Sequence, residues 1–216
     1  MIVAPREPDG LEIRGALLLE LRRSGVRDVN VLRAIETVQR EIFTPHRLRD
    51  LAQRNCPLPI GCGQTMEAPE QLARMLEALA PEPSHRVLEI GAGSGYSAAV
   101  LSRLAREIVS LERYGSLATE AAARLDQLEI VNAAAHWGDG LGELGQWGSF
   151  DRIFAPALFE APPATLLARL APRGRLVCAL KGENGDERLC ILAEGVVQRL
   201  APMRLPRLEH GLSRAL

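Results

Sequence analysis

The sequence predicts an α/β fold whose core is a seven-stranded, mostly parallel sheet preceded by an N-terminal helical cap. Three observations lead to this prediction. Short apolar runs alternate with segments of helical period between residues 86 and 200. A glycine-rich turn at 91–95 follows the first of these runs directly, and the chain begins with helical patterns alone. Because strands that alternate with helices of this size form parallel sheets covered on both faces, we expect one domain.

The predicted domain comprises residues 1–216, with the cap over 1–55 and the core over 56–216. In the cap, Leu11–Arg23 and Val29–Val38 carry apolar residues at helical spacing, and Asp28 is a plausible N-cap. A shorter helix is expected at His46–Arg54 after Pro45.

The predicted core begins with a loop that has two prolines and two glycines, CPLPIGCGQT, at 56–65. We expect its helices at Ala68–Leu79, Ser97–Leu104, Leu117–Leu128 and Ala164–Leu170. We expect its strands, the last of them antiparallel, at Arg86–Ile90, Glu107–Leu111, Val131–Trp137, Phe150–Ala155, Arg175–Leu180, Leu189–Glu194 and Val196–Leu200.

The composition is typical of a globular protein in aqueous solution, with 47% hydrophobic and 25% charged residues. The net charge of −1 gives no bulk electrostatic reason to expect a nucleic-acid partner. No segment reaches membrane-spanning length, and the four cysteines include no CxxC pair and no cluster with metal-ligand spacing. We therefore expect a cytoplasmic protein that binds no metal, membrane or nucleic acid.

The glycine-rich turn lies in VLEIGAGSGY, where an apolar strand runs into the turn and a helix follows, as in Rossmann-like folds. Its glycines are Gly91, Gly93 and Gly95. The third glycine comes one residue too early for the dinucleotide fingerprint, and no GKS or GKT follows for a P-loop. A tight turn without a ligand remains the alternative for the glycines taken alone.

Three acidic residues around this turn indicate the ligand. Glu89 inside the strand would repel a diphosphate but suits a cationic amine, and Glu112, at the end of the next strand, can accept both ribose hydroxyls. Asp139, within Gly138-Asp139-Gly140, can accept a hydrogen bond from an adenine amino group, although a plain turn explains GDG equally well. A ribose, an amine and no diphosphate point to S-adenosylmethionine.

Two motifs together, LPIGCGQT at 58–65 and VLEIGAGSGY at 87–96, resemble those of the protein-L-isoaspartate O-methyltransferase family. RAIETVQREIFTP at 33–45, GDG at 138–140 and FDRI at 150–153 are similar to further blocks of that family, and the likeness spans roughly 29–180. The resemblance implies a class I methyltransferase fold and repair of damaged proteins by methylating the abnormal carboxyl of L-isoaspartyl residues. For the assembly we expect a monomer or weak homo-oligomer.

The resemblance also assigns site residues. It implies catalytic roles for Thr65 and Glu67, and cofactor contacts for Gln64 and Thr65 in the LPIGCGQT loop. The turn and its acids add the other cofactor-binding candidates, Glu89, Gly91, Gly93, Gly95, Glu112, Asp139 and Gly140.

The predicted substrate half departs from the family pattern. Glu67 stands where the family has its active-site serine, Cys62 where many members have His or Gln, and 155–158 read APAL in place of a Thr-Ala-Ala run. A carboxylate acceptor is already ionised at neutral pH and needs no general base, but an ionised Glu67 would repel it. Either Glu67 is protonated by burial, or it turns outward, or the substrate differs. The alternative without a catalytic role is that the Glu67 carboxylate only stabilises the N-terminus of the following helix.

Three other functions compete with isoaspartyl methylation. A methyltransferase acting on nucleic-acid bases is disfavoured because an Asn/Asp-Pro-Pro-Tyr run is absent where the chain reads APAL. A non-catalytic S-adenosylmethionine-binding protein is compatible with the altered loop at 62–67. A nicotinamide oxidoreductase is disfavoured by the early third glycine and by Glu89.

Overall fold

The fold is seen in a computed structural model that describes residues 10–142 and 144–213. Its α-helices are α1 (Gly10–Arg23), α2 (Val29–Thr37), α3 (Arg40–Phe43), α4 (Pro69–Leu79), α5 (Tyr96–Leu101), α6 (Gly115–Gln127) and α7 (Ala164–Leu167). Its strands are β1 (Leu58–Pro59), β2 (Thr65–Met66), β3 (Arg86–Ile90), β4 (Glu107–Glu112), β5 (Ala133–Trp137), β6 (Phe150–Phe159), β7 (Leu170–Lys181), β8 (Glu187–Ala193) and β9 (Val196–Pro202).

The central sheet has seven strands in the order β5-β4-β3-β6-β7-β8-β9. The first five strands of this order are mutually parallel, whereas β8 is antiparallel to β7 and β9 is antiparallel to β8. The expected mostly parallel, seven-stranded sheet is therefore confirmed. The last strand was expected to be the antiparallel one, but β8 runs against the five parallel strands instead. The chain reverses again between β8 and β9, so β9 points the same way as the parallel strands.

Helices cover the sheet on both faces because the central strands are apolar on both sides. Val87, Phe154 and Val177 belong to the cluster on one face, and Leu88 and Ile153 belong to the cluster on the other. Fully buried parallel strands of this kind need apolar residues at successive positions, which RVLEI supplies in β3.

The N-terminal helices pack into the same hydrophobic cluster as one face of the sheet. Leu21 of α1 and Leu32 of α2 share this cluster with Leu76 of α4. Asp28 caps α2 as expected, accepting hydrogen bonds from the amides of Asn30 and Val31. The predicted boundary between cap and core at 55/56 stays a prediction. Within the predicted domain, residues 1–9, 143 and 214–216 lie outside the described residues.

Several elements differ from their predicted bounds; β7, for example, begins at Leu170 rather than Arg175, and α7 ends at Leu167 rather than Leu170. The expected loop at 56–65 contains the short antiparallel pair β1–β2, and the helix expected at His46–Arg54 is a 3-10 turn over His46–Leu51. β6 continues beyond Ala155 to Phe159, with a register shift against β7 between Phe154 and Leu158. Pro156 lies within this shift, where the missing backbone donor removes no ladder hydrogen bond.

The segment 203–213, which we call the C-terminal strap, crosses the carboxyl ends of the parallel strands. The Leu158 amide donates to the Pro206 carbonyl at 2.7 Å, beyond the bulge of β6. The Ser213 amide donates to the Arg113 carbonyl at 2.9 Å, just after β4. The strap thus covers the edge at which ligands bind in parallel α/β sheets.

Among the residues that the structure describes, no helix combines the length and the apolar character needed to cross a membrane.

Candidate functional site

The glycine-rich turn joins β3 to α5 at the carboxyl edge of the sheet. Gly91, Gly93 and Gly95 have φ values of 89°, 53° and 89°, in the left-handed region that favours glycine. The amides of Gly91 and Ala92 both donate to the Leu111 carbonyl, at 2.7 and 3.3 Å. The turn is therefore fixed to the end of the neighbouring strand β4.

The three glycines serve different purposes. A Cβ atom on Gly95 would lie 3.1 Å from the Cβ of Ala121, so this glycine lets α5 begin close to α6. A Cβ atom on Gly93 would meet Ile60 at 3.2 Å, whereas one on Gly91 would meet nothing within 4 Å. Gly91 and Gly93 line the cavities described next, which makes them the glycines available to a ligand.

Two adjoining cavities open at this edge under the strap. The larger, which we call the Asp139 cavity, has a volume of about 110 Å³ and reaches Asp139 and Gly140. The smaller, the Glu67 cavity, has about 80 Å³ and reaches Thr65 and Glu67. Residues of both cavities are Gln64, Ile90, Gly91, Glu112, Arg207 and Leu208. The shared wall makes the two cavities one elongated site with Glu112 near its middle.

Glu112 is only 5% exposed and accepts hydrogen bonds through both carboxylate oxygens. The Gly93 amide donates to one oxygen at 2.9 Å, and the Tyr114 amide donates to the other at 3.0 Å. Since each carboxylate oxygen has two acceptor positions, both oxygens keep one for a ligand. A pair of neighbouring hydroxyl donors fits this arrangement.

Asp139 and Gly140 form the far wall of the Asp139 cavity. One Asp139 oxygen accepts from the Leu141 amide and the other from the Gly211 amide of the strap, each at 2.9 Å. A Cβ atom on Gly140 would lie 2.5 Å from Cγ2 of Ile90, so only glycine fits there. The GDG sequence is thus both a wall of the cavity and an anchor for the strap.

Glu67 lines the Glu67 cavity beside Thr65 and the glycine turn. Burial raises the pKa of its carboxyl, while the Arg40 guanidinium lowers that pKa by a smaller amount. Because burial is the main influence on the pKa of this carboxyl, the alternative in which it turns outward into solvent is disfavoured.

Arg40 is a buried residue that the sequence analysis missed. It is 2% exposed, and its guanidinium donates to the carbonyls of Ala52, Arg54, Cys56 and Glu67 at 3.0, 3.2, 3.0 and 2.8 Å. These bonds tie the loop before β1 to the residue that follows β2. The one available signal was an arginine on the apolar side of REIF, which sequence alone does not distinguish from a surface arginine.

Glu89 lies behind the turn and is fully buried, and neither cavity is lined by it. The Ser110 hydroxyl donates to one oxygen of its carboxyl, and the other oxygen has no hydrogen-bond partner. Burial raises the pKa of Glu89 to about 8, and the negative charges of Glu67 and Glu112 raise it further. Its predicted contact with the cofactor stays a prediction.

The strap contributes wall residues that no local sequence pattern indicated. Arg207, Leu208 and Glu209 line the Asp139 cavity, and Arg113 at the end of β4 donates to the Gly211 carbonyl at 2.9 Å. These partners lie 98 residues apart in the chain, which explains why the sequence did not reveal them.

Comparisons with known proteins match this chain to one family. The family model described as "Protein-L-isoaspartate(D-aspartate) O-methyltransferase (PCMT)" matches residues 12–193. The chain is 43% identical over 202 residues to the protein-L-isoaspartate O-methyltransferase of Rhodopseudomonas palustris strain BisA53, covering 92% of this chain and 94% of the relative. This chain belongs to the protein-L-isoaspartate O-methyltransferase family.

A second sequence relative and a solved structure agree with this family assignment in sequence and in fold, respectively. The protein-L-isoaspartate O-methyltransferase of Caulobacter vibrioides strain NA1000 is 44% identical over 161 residues, which is 74% of this chain and 72% of that protein. A protein-L-isoaspartate O-methyltransferase from Plasmodium falciparum, solved with S-adenosyl-L-homocysteine, has a TM-score of 0.79 at 22% identity, covering 91% of this chain and 98% of that one. The expected class I fold and an S-adenosylmethionine-dependent methyltransferase of this family are confirmed.

Proposed function

We propose that the two cavities together hold S-adenosylmethionine, with the adenosine end at Asp139 and the reactive end at Glu67. Glu112, at the shared wall, would accept the ribose hydroxyls, and Gly91 and Gly93 would pass close to the ligand. The observation that carries this assignment is that the cofactor turn and the family's substrate loop form one continuous site. Gln64 belongs to both walls and would link cofactor and acceptor.

We further propose that the methyl acceptor is the abnormal carboxyl of an L-isoaspartyl residue in a damaged protein. The bound cofactor would supply a methyl group on a cationic sulfur, which an ionised carboxylate displaces in line without a general base. The residues of this chain therefore act by aligning the acceptor and excluding water. Thr65, at the mouth of the Glu67 cavity, offers a hydroxyl to the acceptor.

In our proposal, Glu67 lowers the rate at which this chain methylates isoaspartyl residues. At about 4 Å and an effective dielectric near 20, two carboxylates repel each other by about 4 kcal/mol. The raised pKa of Glu67 relieves part of this repulsion, because the protonated form carries no charge. We therefore expect methylation of isoaspartyl peptides that is slow and stronger at mildly acidic pH.

The proposal is tested by methyl transfer from labelled cofactor to an isoaspartyl peptide and to its aspartyl twin. We expect label only in the isoaspartyl peptide, as a base-labile ester. Transfer to neither peptide while the cofactor still binds would favour another acceptor or a non-catalytic cofactor-binding protein.

Two further expectations remain proposals. They are a monomer or weak homo-oligomer and a cytoplasmic location, the second of which rests on the composition and the cysteines. The four cysteines, all free in the structure, are typical of a reducing compartment. Gel filtration with light scattering would decide the oligomeric state.

A further inference from the structure

The Glu67 cavity has an unbalanced set of charges. Glu67 and Glu112 bring two carboxyl groups to its wall, and of the described residues that line it, Arg207 alone carries a positive charge. A negatively charged acceptor entering this cavity therefore meets one cationic side chain. That side chain comes from the strap, which the two sequence motifs of the family do not include.

The backbone of the strap fixes the position of Arg207 firmly. The neighbouring Pro206 carbonyl accepts from the Leu158 amide at 2.7 Å, and Arg207 pairs with Leu158 in a parallel β-bridge at the end of β6. Arg207 also lines the Asp139 cavity, so it lies at the junction of the two. Arg207 therefore lies where the two cavities meet, and its side chain, which is 64% exposed, is open to an arriving substrate.

The side chain of Arg207 has a partner that it can release. Its Nη2 atom lies 2.7 Å from Oε1 of Glu160, and the two side chains are 64% and 57% exposed. Exposed pairs of this kind contribute little net stability. Lys181 lies 3.3 Å from the other oxygen of Glu160, so Glu160 keeps a cationic partner when Arg207 turns away.

We propose that Arg207 is the residue that binds the carboxylate of the methyl acceptor and thereby offsets the charge of Glu67. This inference rests on the proposed function, since it takes the acceptor to be a carboxylate. Arg207 exchanges the Glu160 carboxylate for that of the substrate. A carboxylate has about four acceptor positions, so the contact with Arg207 leaves a lone pair free to attack the methyl group.

The test compares Arg207→Gln with Arg207→Lys and with the matched control Lys181→Gln, which removes the other partner of Glu160. Methylation kinetics and binding of the isoaspartyl peptide to the protein saturated with S-adenosylhomocysteine are both measured. We expect Arg207→Gln to raise KM and the peptide Kd at least tenfold, with the cofactor Kd changed less than twofold. Arg207→Lys should recover part of the loss, and Lys181→Gln should behave as the unmodified protein.

The two readouts separate this inference from the proposed function. If the unmodified protein binds the peptide without methylating it and Arg207→Gln abolishes binding, the inference stands and the proposed function fails. Equal peptide binding by the unmodified protein and Arg207→Gln overturns the inference, whether or not the enzyme is active. A loss of cofactor affinity as large as the loss of peptide affinity also overturns it, since Arg207 would then act through the strap. Absence of any peptide binding overturns both.

Discussion

Individual residues divide into those whose role the sequence indicated and those that only the fold reveals. Glu112 ends β4 beside the glycine turn, as the sequence indicated, and its contact with a ribose stays a prediction. Arg40 and Arg207 were not predictable, since each acquires its role from partners that are distant in the chain. Glu89 is an intermediate case: its place in β3 was predicted, but its burial beside Ser110 and its unpartnered oxygen were not.

Substitution of Glu112 by alanine should weaken cofactor binding by about 1.5–3 kcal/mol, the range for hydrogen bonds to charged groups. Calorimetric titration with S-adenosylhomocysteine measures this loss. Glu107→Ala removes a partly exposed carboxylate at the opposite end of the same strand and is the control that should bind normally. Equal affinities of the Glu112→Ala and Glu107→Ala variants would remove Glu112 from the site.

Replacement of Glu89 by glutamine should change how stability depends on pH. Because the folded-state pKa of about 8 exceeds the unfolded value of 4.5, the folded protein holds a proton that the unfolded chain releases. The stability that protonated Glu89 contributes is fully present below pH 4.5. It is lost as the pH rises towards 8, by at most about 1.4 kcal/mol per pH unit. Denaturant unfolding at pH 5, 6.5 and 8 should show a steeper fall for the unmodified protein than for Glu89→Gln. Parallel curves would show that Glu89 ionises normally.

Secondary-structure elements were predicted best where the hydrophobic period alone decides them. The bounds of β3 agree to the residue, and α2 begins at Val29 after its Asp28 cap as expected. β6 was predicted too short because Pro156 reads as a strand terminator, whereas here it lies in a bulge. The C-terminal strap was not predicted at all, because a segment without a regular period takes its conformation from tertiary contacts.

The strap should become more protected when the cofactor pocket is filled. It contacts Asp139 through the Gly211 amide and lines both cavities, so a ligand beneath it adds contacts to a segment that has few of its own. Hydrogen exchange with and without S-adenosylhomocysteine should show slower exchange at residues 206–213, with no change in β9 as the internal reference. Slower exchange confined to the glycine turn would show that the strap does not cover the ligand.

At the scale of the whole molecule, one edge of the sheet gathers the glycine turn, the Glu67 loop and the strap into a single site. The cofactor half follows the family pattern closely and was predictable from VLEIGAGSGY and GDG. The proposed acceptor half departs from it, and we expect its charge balance to depend on Glu67, Arg40 and Arg207, which come from three separate parts of the chain. Charge balance across such distances is a property of the fold, which a linear pattern does not contain.

The pH dependence of catalysis should reflect this balance. Burial raises the pKa of Glu67, so its neutral fraction at mildly acidic pH is larger than that of an ordinary glutamate. Isoaspartyl methylation by the unmodified protein should therefore fall as the pH rises through this raised pKa, by up to about tenfold per unit. The Glu67→Ser variant keeps Glu89 and Glu112 but should lack this fall. Superimposable pH profiles would show that Glu67 does not act on the acceptor.

The most direct test of the central claim is the kcat/KM of the unmodified protein and of Glu67→Ser for an isoaspartyl peptide, with its aspartyl twin as control, at pH 8. The claim is that an isoaspartyl carboxyl is methylated in the cavity beside Glu67, against the charge of that residue. We predict transfer to the isoaspartyl peptide alone, with kcat/KM at least tenfold higher for Glu67→Ser, since even half of the 4 kcal/mol repulsion estimated above exceeds the roughly 1.4 kcal/mol of one decade. Equal values for the two proteins, or equal transfer to both peptides, would contradict it.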